Sequence, residues 1–268
     1  MKVKEIPFSL FHSIRLRYLG AKSERPRLPV IVSLTSIPSR LSILDIVINS
    51  LLDQDKPPKL IILWLNKSLK DKLPKRLTKL QSEFFSIRYC DGTSSYRKLL
   101  PTLKEYTDDT IVTCDDDMIY PSNWLGHLYH CHLEHPNKIV SQVGRLIKRE
   151  ESSELLPYKS WPFIRYEHTQ SNFLAIGYGG VLYPKNTFTH QIFDEQLYMR
   201  LCPKADDLWF KTMSFLNGKE VICASEKARP LPIFRSQQVS LNSSNIDEDR
   251  NRLQWQSLCD HFPELINI

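Results

Sequence analysis

Three features of the sequence predict an α/β fold with a mostly parallel central sheet in a single domain. Short β-branched apolar runs alternate with helix-length segments over residues 28–143. The runs read as strands buried on both faces, as parallel sheets require. An acidic triplet, Asp115, Asp116 and Asp117, stands where the fourth run ends, and ligands of such sheets bind beyond the carboxyl ends of the strands. The chain has 268 residues, 41% hydrophobic and 25% charged, which is ordinary globular composition with enough length for a sizeable core.

The elements follow in order. "RLPVIVSLT" (27–35) is the first strand, and "SIPSR" turns the chain. Ser39 is placed to cap a helix through Leu51, with Leu44, Val47 and Leu51 on one face. "PPKLIILWLN" is the second strand; a polar helical stretch leads to "FFSIRYC", the third. "SYRKLLPTLKEY" predicts a short helix and "DTIVTCDDD" the fourth strand. "PSNWLGHLYHCHLEH" is helical, with Pro121 expected near the first turn, and "NKIVSQV" is the fifth strand. Residues 144–175 show no clear period. "GYGGVLYPKNTF" predicts a glycine-rich turn and a strand, and "KADDLWFKTMSFLNGKEV" a helix that stops at Gly218. "EVICAS" is a last strand, and "FRSQQVSLNSSNIDEDRNR" is polar and expected to be mobile.

The net charge of +6 is concentrated at one end. Residues 1–27 hold seven bases (Lys2, Lys4, Arg15, Arg17, Lys22, Arg25, Arg27) and two acids (Glu5, Glu24), a surplus of +5 that leaves +1 for the rest. A body this close to neutral argues against a nucleic-acid footprint. In the leader, Phe11, Ile14 and Tyr18 fall at i, i+3 and i+7, the spacing of a short basic helix suited to an anionic membrane surface, or of an extension packed loosely on the domain. The leader lacks the h-region of a secretory signal, and the longest apolar run, Leu60 to Leu65, is too short to span a bilayer. Six scattered cysteines (Cys90, Cys114, Cys131, Cys202, Cys223, Cys259), none in a C-x-x-C pair, do not read as a disulfide framework and suit a reducing compartment. The expected location is cytoplasmic, with peripheral contact at the inner face of the membrane.

Adjacent carboxylates raise one another's pKa unless positive charge lies between them. A divalent cation removes the conflict. Oxygen-only ligands select a hard ion, Mg²⁺ or Mn²⁺, with water and phosphate oxygens completing its shell. Strand alternation would turn Asp115 and Asp117 to one side and Asp116 to another, toward a ribose hydroxyl.

With these residues in view, "TIVTCDDDMIYPSNW" resembles the D-x-D segment of GT-A-fold, Rossmann-like glycosyltransferases that use nucleotide-sugar donors, most of all bacterial enzymes of capsule and lipopolysaccharide synthesis. Three further segments match in order: "VIVSLTSIPSRL" resembles the nucleotide-binding first strand and turn, "INSLLDQDKPPKLIILWLN" the next helix and strand, and "ADDLWF" the downstream acidic pair. The resemblance runs over roughly residues 28–225. It implies metal-dependent, inverting transfer of a hexosyl or N-acetylhexosaminyl group from a nucleotide-sugar, by expectation a UDP-sugar, to a glycan or lipid-linked glycan acceptor. Asp115 and Asp117 would flank the metal, with Asp117 the direct ligand, and Thr35, Ser36, Arg40, Asn66 and Asp116 would face the nucleotide. Asn66 stands where the family often has an acidic residue. Lys98 would reach the nucleotide or a phosphate and Arg235 would close on the diphosphate. Asp207 would be the general base, although Asp206-Asp207 replaces the commoner Glu-Asp and leaves open which of the two acts. The implied division is a basic extension (1–27), a nucleotide-sugar-binding half (28–143), an acceptor half (144–235) and a C-terminal segment with a helix (236–268).

Plainer readings stand beside these. The triplet could be a solvated turn, and Asp206 and Asp207 could serve only as favourable charges at a helix N-terminus. His127, Cys131 and His135 share a helical face, as zinc ligands or as an ordinary half-buried surface. Gly177, Gly179 and Gly180 suit either close backbone approach to a sugar or a tight turn. Trp161 and Trp209 suit sugar stacking or the core, and Trp209, inside a helix, suits the core better. A sugar nucleotidyltransferase would carry glycine in the first turn, where this chain has "TSIPSR"; a D-x-D-x-T phosphotransferase would need Thr at Ile119. A non-catalytic carbohydrate-binding protein is the remaining alternative.

Overall fold

The structure, a computed structural model, describes residues 5–18, 25–92, 94–224, 228–234, 236 and 248–268. An N-terminal helix α1 (Ile6–Arg17) precedes β1 (Leu28–Thr35), α2 (Leu44–Leu52), β2 (Pro58–Asn66), a helical turn α3 (Lys75–Thr78), β3 (Phe85–Cys90), α4 (Leu100–Glu105) and β4 (Thr110–Thr113). Then come β5 (Met118–Ile119), α5 (Trp124–Glu134), β6 (Ile139–Ser141), β7 (Gly144–Leu146), β8 (Phe163–Ile164), β9 (His168–Thr169), β10 (Phe173–Ala175) and β11 (Val181–Tyr183). The chain continues through α6 (Glu195–Leu201), α7 (Asp206–Leu216), β12 (Val221–Cys223), β13 (Leu231–Pro232) and α8 (Arg250–His261).

One eight-stranded sheet runs β3-β2-β1-β4-β11-β6-β12-β9. The β1–β2, β2–β3, β1–β4 and β6–β12 pairs are parallel; β11 runs antiparallel between β4 and β6, and β9 lies antiparallel on β12. The mostly parallel α/β sheet is as the sequence predicts, and the second half of the chain extends that same sheet through β11 and β12. Both faces of β1 are covered, so Val30, Val32 and Leu34 pack on the side of Leu44, Val47 and Leu51 from α2, while Ile31 joins Ile62 and Trp64 on the other. Each fully buried side chain of this size contributes about 1.5–3 kcal/mol. A second cluster around Trp161, Trp209, Phe210 and Trp255 ties α7 and α8 to the far half of the sheet.

Local details depart from the sequence reading. Ser39 is no cap: a 3-10 segment, Pro38–Ile43, precedes α2, whose N-cap Ile43 offers no side-chain hydrogen bond. Pro121 lies ahead of α5, whose N-cap is Asn123. Within residues 144–175, β7, β8 and β10 form a small antiparallel sheet, β10-β7-β8, and β9 joins the edge of the main sheet; strands of two or three residues are too short to show a period. Trp161 is core, its indole N–H donating to the Leu156 carbonyl. Gly218 does follow α7 with φ of +66°. The polar segment 234–252 lies largely outside the described residues, and its end forms the start of α8. All six cysteines are free thiols. Among the described residues no helix is long and apolar enough to cross a membrane.

Candidate active site

Strand register assembles the site. Ser33 pairs with Thr113 in the parallel β1–β4 ladder, so three residues further on Ser36 meets Asp116. The Ser36 hydroxyl donates to Asp116 Oδ2 at 2.5 Å. Strand β4 ends at Thr113, and Asp116 and Asp117 occupy the turn before β5. Strand alternation therefore does not reach the triplet. Instead of Asp115 and Asp117 sharing a side, Asp116 and Asp117 share one guanidinium: Arg40 Nη1 lies 2.5 Å from Asp116 and Nη2 2.8 Å from Asp117. Burial opposes the Arg40 charge, but these two carboxylates outweigh it and raise its pKa. Burial likewise pushes Asp116 up, with Arg40 and Ser36 restraining the rise.

Asp115 turns the other way, to Lys98 Nζ at 3.3 Å. Lys98 is almost fully buried and also meets Asp206 at 2.9 Å and Asp207 at 3.9 Å. Burial works against its charge, yet the three carboxylates lift its pKa well above the usual lysine value. Its position is built by Tyr96 two residues earlier. The Tyr96 hydroxyl donates to the Cys202 carbonyl at 2.6 Å and its ring stacks on Tyr198 at 4.1 Å, which locks the Ser95–Lys98 turn against the loop that enters α7. Ser95 completes the junction by donating to Asp206 Oδ1 at 2.7 Å.

Asp206 and Asp207 form the first turn of α7, where the helix dipole favours carboxylates. They also face the triplet across Lys98. Asp207 Oδ2 accepts the Gly177 N–H at 3.1 Å. Burial raises the Asp207 pKa to about 7; Asp206 and Asp115 add to the rise, and Lys98 and the Gly177 amide oppose it. A carboxylate tuned this way matches the demands of a general base near neutrality.

Gly177 is required by this packing. A Cβ there would stand 2.7 Å from Lys98 Nζ and 3.3 Å from carboxylate oxygens of both Asp115 and Asp207. Lys98 cannot swing away without breaking its ion pairs. We expect Gly177→Ala to lower stability by about 1–3 kcal/mol through overpacking, seen as a lower urea midpoint at unchanged slope. Gly180, with φ of +94°, brings its own backbone against Trp124 and serves the turn.

A cavity of about 420 Å³ gathers these groups, within the range of small-molecule sites. Thr35, Ser36, Arg40, Lys98, Asp115, Asp116, Asp117, Asp206 and Asp207 all line it. Asn66 stands outside that lining: its side chain caps the following turn by accepting the Ser68 N–H and donates to the Gly92 carbonyl. Arg235 lies outside the described residues. Sequence reasoning missed Ser95, Arg97 and Arg229, which also line the cavity. Ser95 and Arg97 were within reach of inference because they flank Lys98 in one turn; Arg97 donates to the Ser36 carbonyl at 3.2 Å. Arg229 carried no such signal.

The sequence profile of glycosyl transferase family 2 matches residues 39–197. The chain belongs to glycosyl transferase family 2. The family 2 match spans the triplet and Gly177 and ends before α7. No curated protein sequence matches the chain. Among solved structures it is similar to S. aureus TarS 1-349 in complex with UDP, with a TM-score of 0.52 and 14% identity, a likeness of fold. The similarity covers 84% of this chain and 64% of that one, so the chain spans less than two thirds of the length of TarS 1-349.

The carboxylates fit a hard divalent cation by donor chemistry, all being oxygen. Among the described residues no group of three or more His, Cys, Asp or Glu side chains converges to enclose a metal. An ion would therefore rest on one or two carboxylates of the triplet and complete its shell with phosphate and water. His127, of the suggested zinc face, bonds the Ala224 carbonyl at 2.9 Å.

Proposed function

We propose that this family 2 glycosyltransferase moves a sugar from a UDP-sugar to a hydroxyl of a glycan or lipid-linked glycan, with inversion, in surface polysaccharide synthesis. The observation that carries this reading is the meeting of two acidic groups, Asp115–Asp117 and Asp206–Asp207, in one cavity around Lys98. Sugar transfer with inversion needs charge neutralisation at the leaving diphosphate and a base on the opposite side of the anomeric carbon. Asp115–Asp117 would serve the first by holding a cation, and Asp206–Asp207 would serve the second.

In this reading Thr35, Ser36, Asp116 and Arg40 hold the nucleotide. Asp117 would hold Mn²⁺ or Mg²⁺ directly, with Asp115 at its flank, and the ion would supply Lewis-acid neutralisation of the diphosphate. Asp207 takes the proton from the acceptor hydroxyl, the hydroxyl oxygen bonds to the anomeric carbon, and the bond from that carbon to the diphosphate oxygen breaks. Lys98 holds Asp206 and restrains the Asp207 pKa, so that the base is substantially ionised at neutral pH.

Calorimetric titration with UDP and GDP, with Mn²⁺ and with EDTA, tests the donor half of the reading. UDP is expected to bind with metal and to lose at least about tenfold in affinity, roughly 1.4 kcal/mol, in EDTA or in Asp117→Ala. If neither nucleotide binds under any metal condition, the acidic triplet serves another purpose. If UDP binds but no sugar is transferred to any acceptor, the non-catalytic carbohydrate-binding alternative takes its place.

A further inference from the structure

Helix α1 is built inside out. Its buried residues are Ser9, Ser13 and Leu16, at i, i+4 and i+7, and they face the protein. The opposite face carries Leu10, Ile14 and Tyr18 at i, i+4 and i+8, with Phe11 beside them and Phe8 at the edge. All five are exposed, Phe8 and Phe11 at 64% and Tyr18 at 85%. At about 100° per residue, Arg17 and Arg15 border this apolar arc on its two sides. Half of the exposed large hydrophobic side chains of the described residues lie on this one element. Scattered exposed apolar residues need no explanation, but a contiguous aromatic face does.

The charge around the helix suggests what covers that face. Arg15 and Arg25 meet Asp53, and Arg17 and Arg76 meet Asp45. Both aspartates are buried, whereas the side chains of Arg15, Arg17 and Arg76 stay at least one-third exposed. Four positive charges on two negative ones leave a surplus of two, positioned toward solvent beside the aromatic arc. Exposed apolar groups flanked by excess arginine match a leaflet containing anionic lipid: the rings enter the acyl boundary and the bases meet the headgroups.

We infer that the outer face of α1 is a docking surface for anionic membranes. The same helix is fastened to the wall of the cavity. Ser9 Oγ donates to the Pro232 carbonyl at 2.8 Å and accepts the Phe234 N–H at 3.0 Å, and Glu5 pairs with Arg229 at 3.4 Å. Arg229 and Pro232 line the cavity, and the Ile233 N–H bonds the Asp117 carbonyl at 2.9 Å. A docked α1 thus holds that edge of the cavity close to the leaflet, where a lipid-linked acceptor would be presented. The docking itself does not rest on the transferase reading, because it is measured without donor or acceptor.

The test is co-sedimentation of the full chain with vesicles of phosphatidylcholine alone and of phosphatidylcholine with one-third phosphatidylglycerol. Wild type is expected to pellet with the anionic vesicles, less so as salt is raised, and to stay in solution with the neutral ones. Phe8→Ser combined with Phe11→Ser is expected to lower the partition coefficient at least about tenfold, because one short helix is a weak anchor that depends on its aromatic groups. Phe8→Leu with Phe11→Leu retains most of the binding, and Met199→Ser, an exposed apolar site on α6, leaves it unchanged. Wild type that stays in solution with anionic vesicles at low salt overturns the inference. So does a dimer in sedimentation velocity that the double serine variant converts to monomer with no vesicle binding, since a second copy would then be the occupant.

Discussion

Asp207→Asn is expected to lower kcat by about 10²–10⁴ while UDP affinity changes little, because the variant removes a proton acceptor without removing the shape around it. The amide oxygen still accepts the Gly177 N–H, so the loop geometry survives. Asp206→Asn distinguishes the two carboxylates. Asp206 is engaged by Ser95 and Lys98, so its substitution acts through the position of Lys98 and costs less in kcat. A larger loss in Asp206→Asn than in Asp207→Asn would reverse the assignment of the base. The pH dependence provides an independent readout. Asp207 is raised to about 7, chiefly by burial, and must be ionised to act. Its activity is therefore present above that value and lost as pH falls through it, so kcat/KM should fall about tenfold per unit below about pH 7. A profile flat to about pH 5 would exclude Asp207 as the titrating base.

Lys98→Met has the second largest expected effect, on stability as well as on the profile. Removing one member of a buried ion cluster leaves the others uncompensated, at a cost of about 3–5 kcal/mol. Lys98 has a folded pKa well above its unfolded one, so in wild type its contribution is fully present through the neutral range and is lost only as pH rises through the folded value. In the variant, Asp115, Asp206 and Asp207 face one another without that cation. Their protonation then favours the folded state, so the stability deficit should be largest above neutrality and shrink as pH falls. Urea unfolding at acidic and alkaline pH reads this directly. Lys98 also holds the Asp207 pKa down. Its removal moves the acid limb of residual activity toward higher pH, a shift that a merely structural lysine would not produce. Equal deficits at all pH values together with an unmoved limb would refute the role.

How far the sequence could be read depended on whether a feature was local. The β-branched runs of β1 to β4 and the apolar face of α2 are visible because burial on both sides of a parallel sheet demands apolar residues at nearly every position. The triplet at the end of β4 was legible as a site for a related reason: consecutive carboxylates at the edge of a buried strand need a counter-charge. The three-stranded sheet of residues 144–175 was not legible, since strands of two or three residues carry no measurable alternation. Nor was the antiparallel place of β11 in the main sheet, because strand direction depends on the path of the connecting chain.

The sequence alone determined the α/β class, the order of the main elements and the two acidic groups. Each of these depends on the properties of neighbouring residues. Only the tertiary structure decided how the charges are shared: Arg40 taken by Asp116 and Asp117, Lys98 set among Asp115, Asp206 and Asp207, and Asn66 spent on a local cap. Those pairings join residues separated by as many as 109 positions, Lys98 to Asp207. The orientation of α1 belongs to the same class of fact. A helix with serines on one side and aromatics on the other could bury either. In the folded chain Ser9 bonds to Pro232 and Phe234 across the fold, Leu16 is buried, and the aromatic face lies outward.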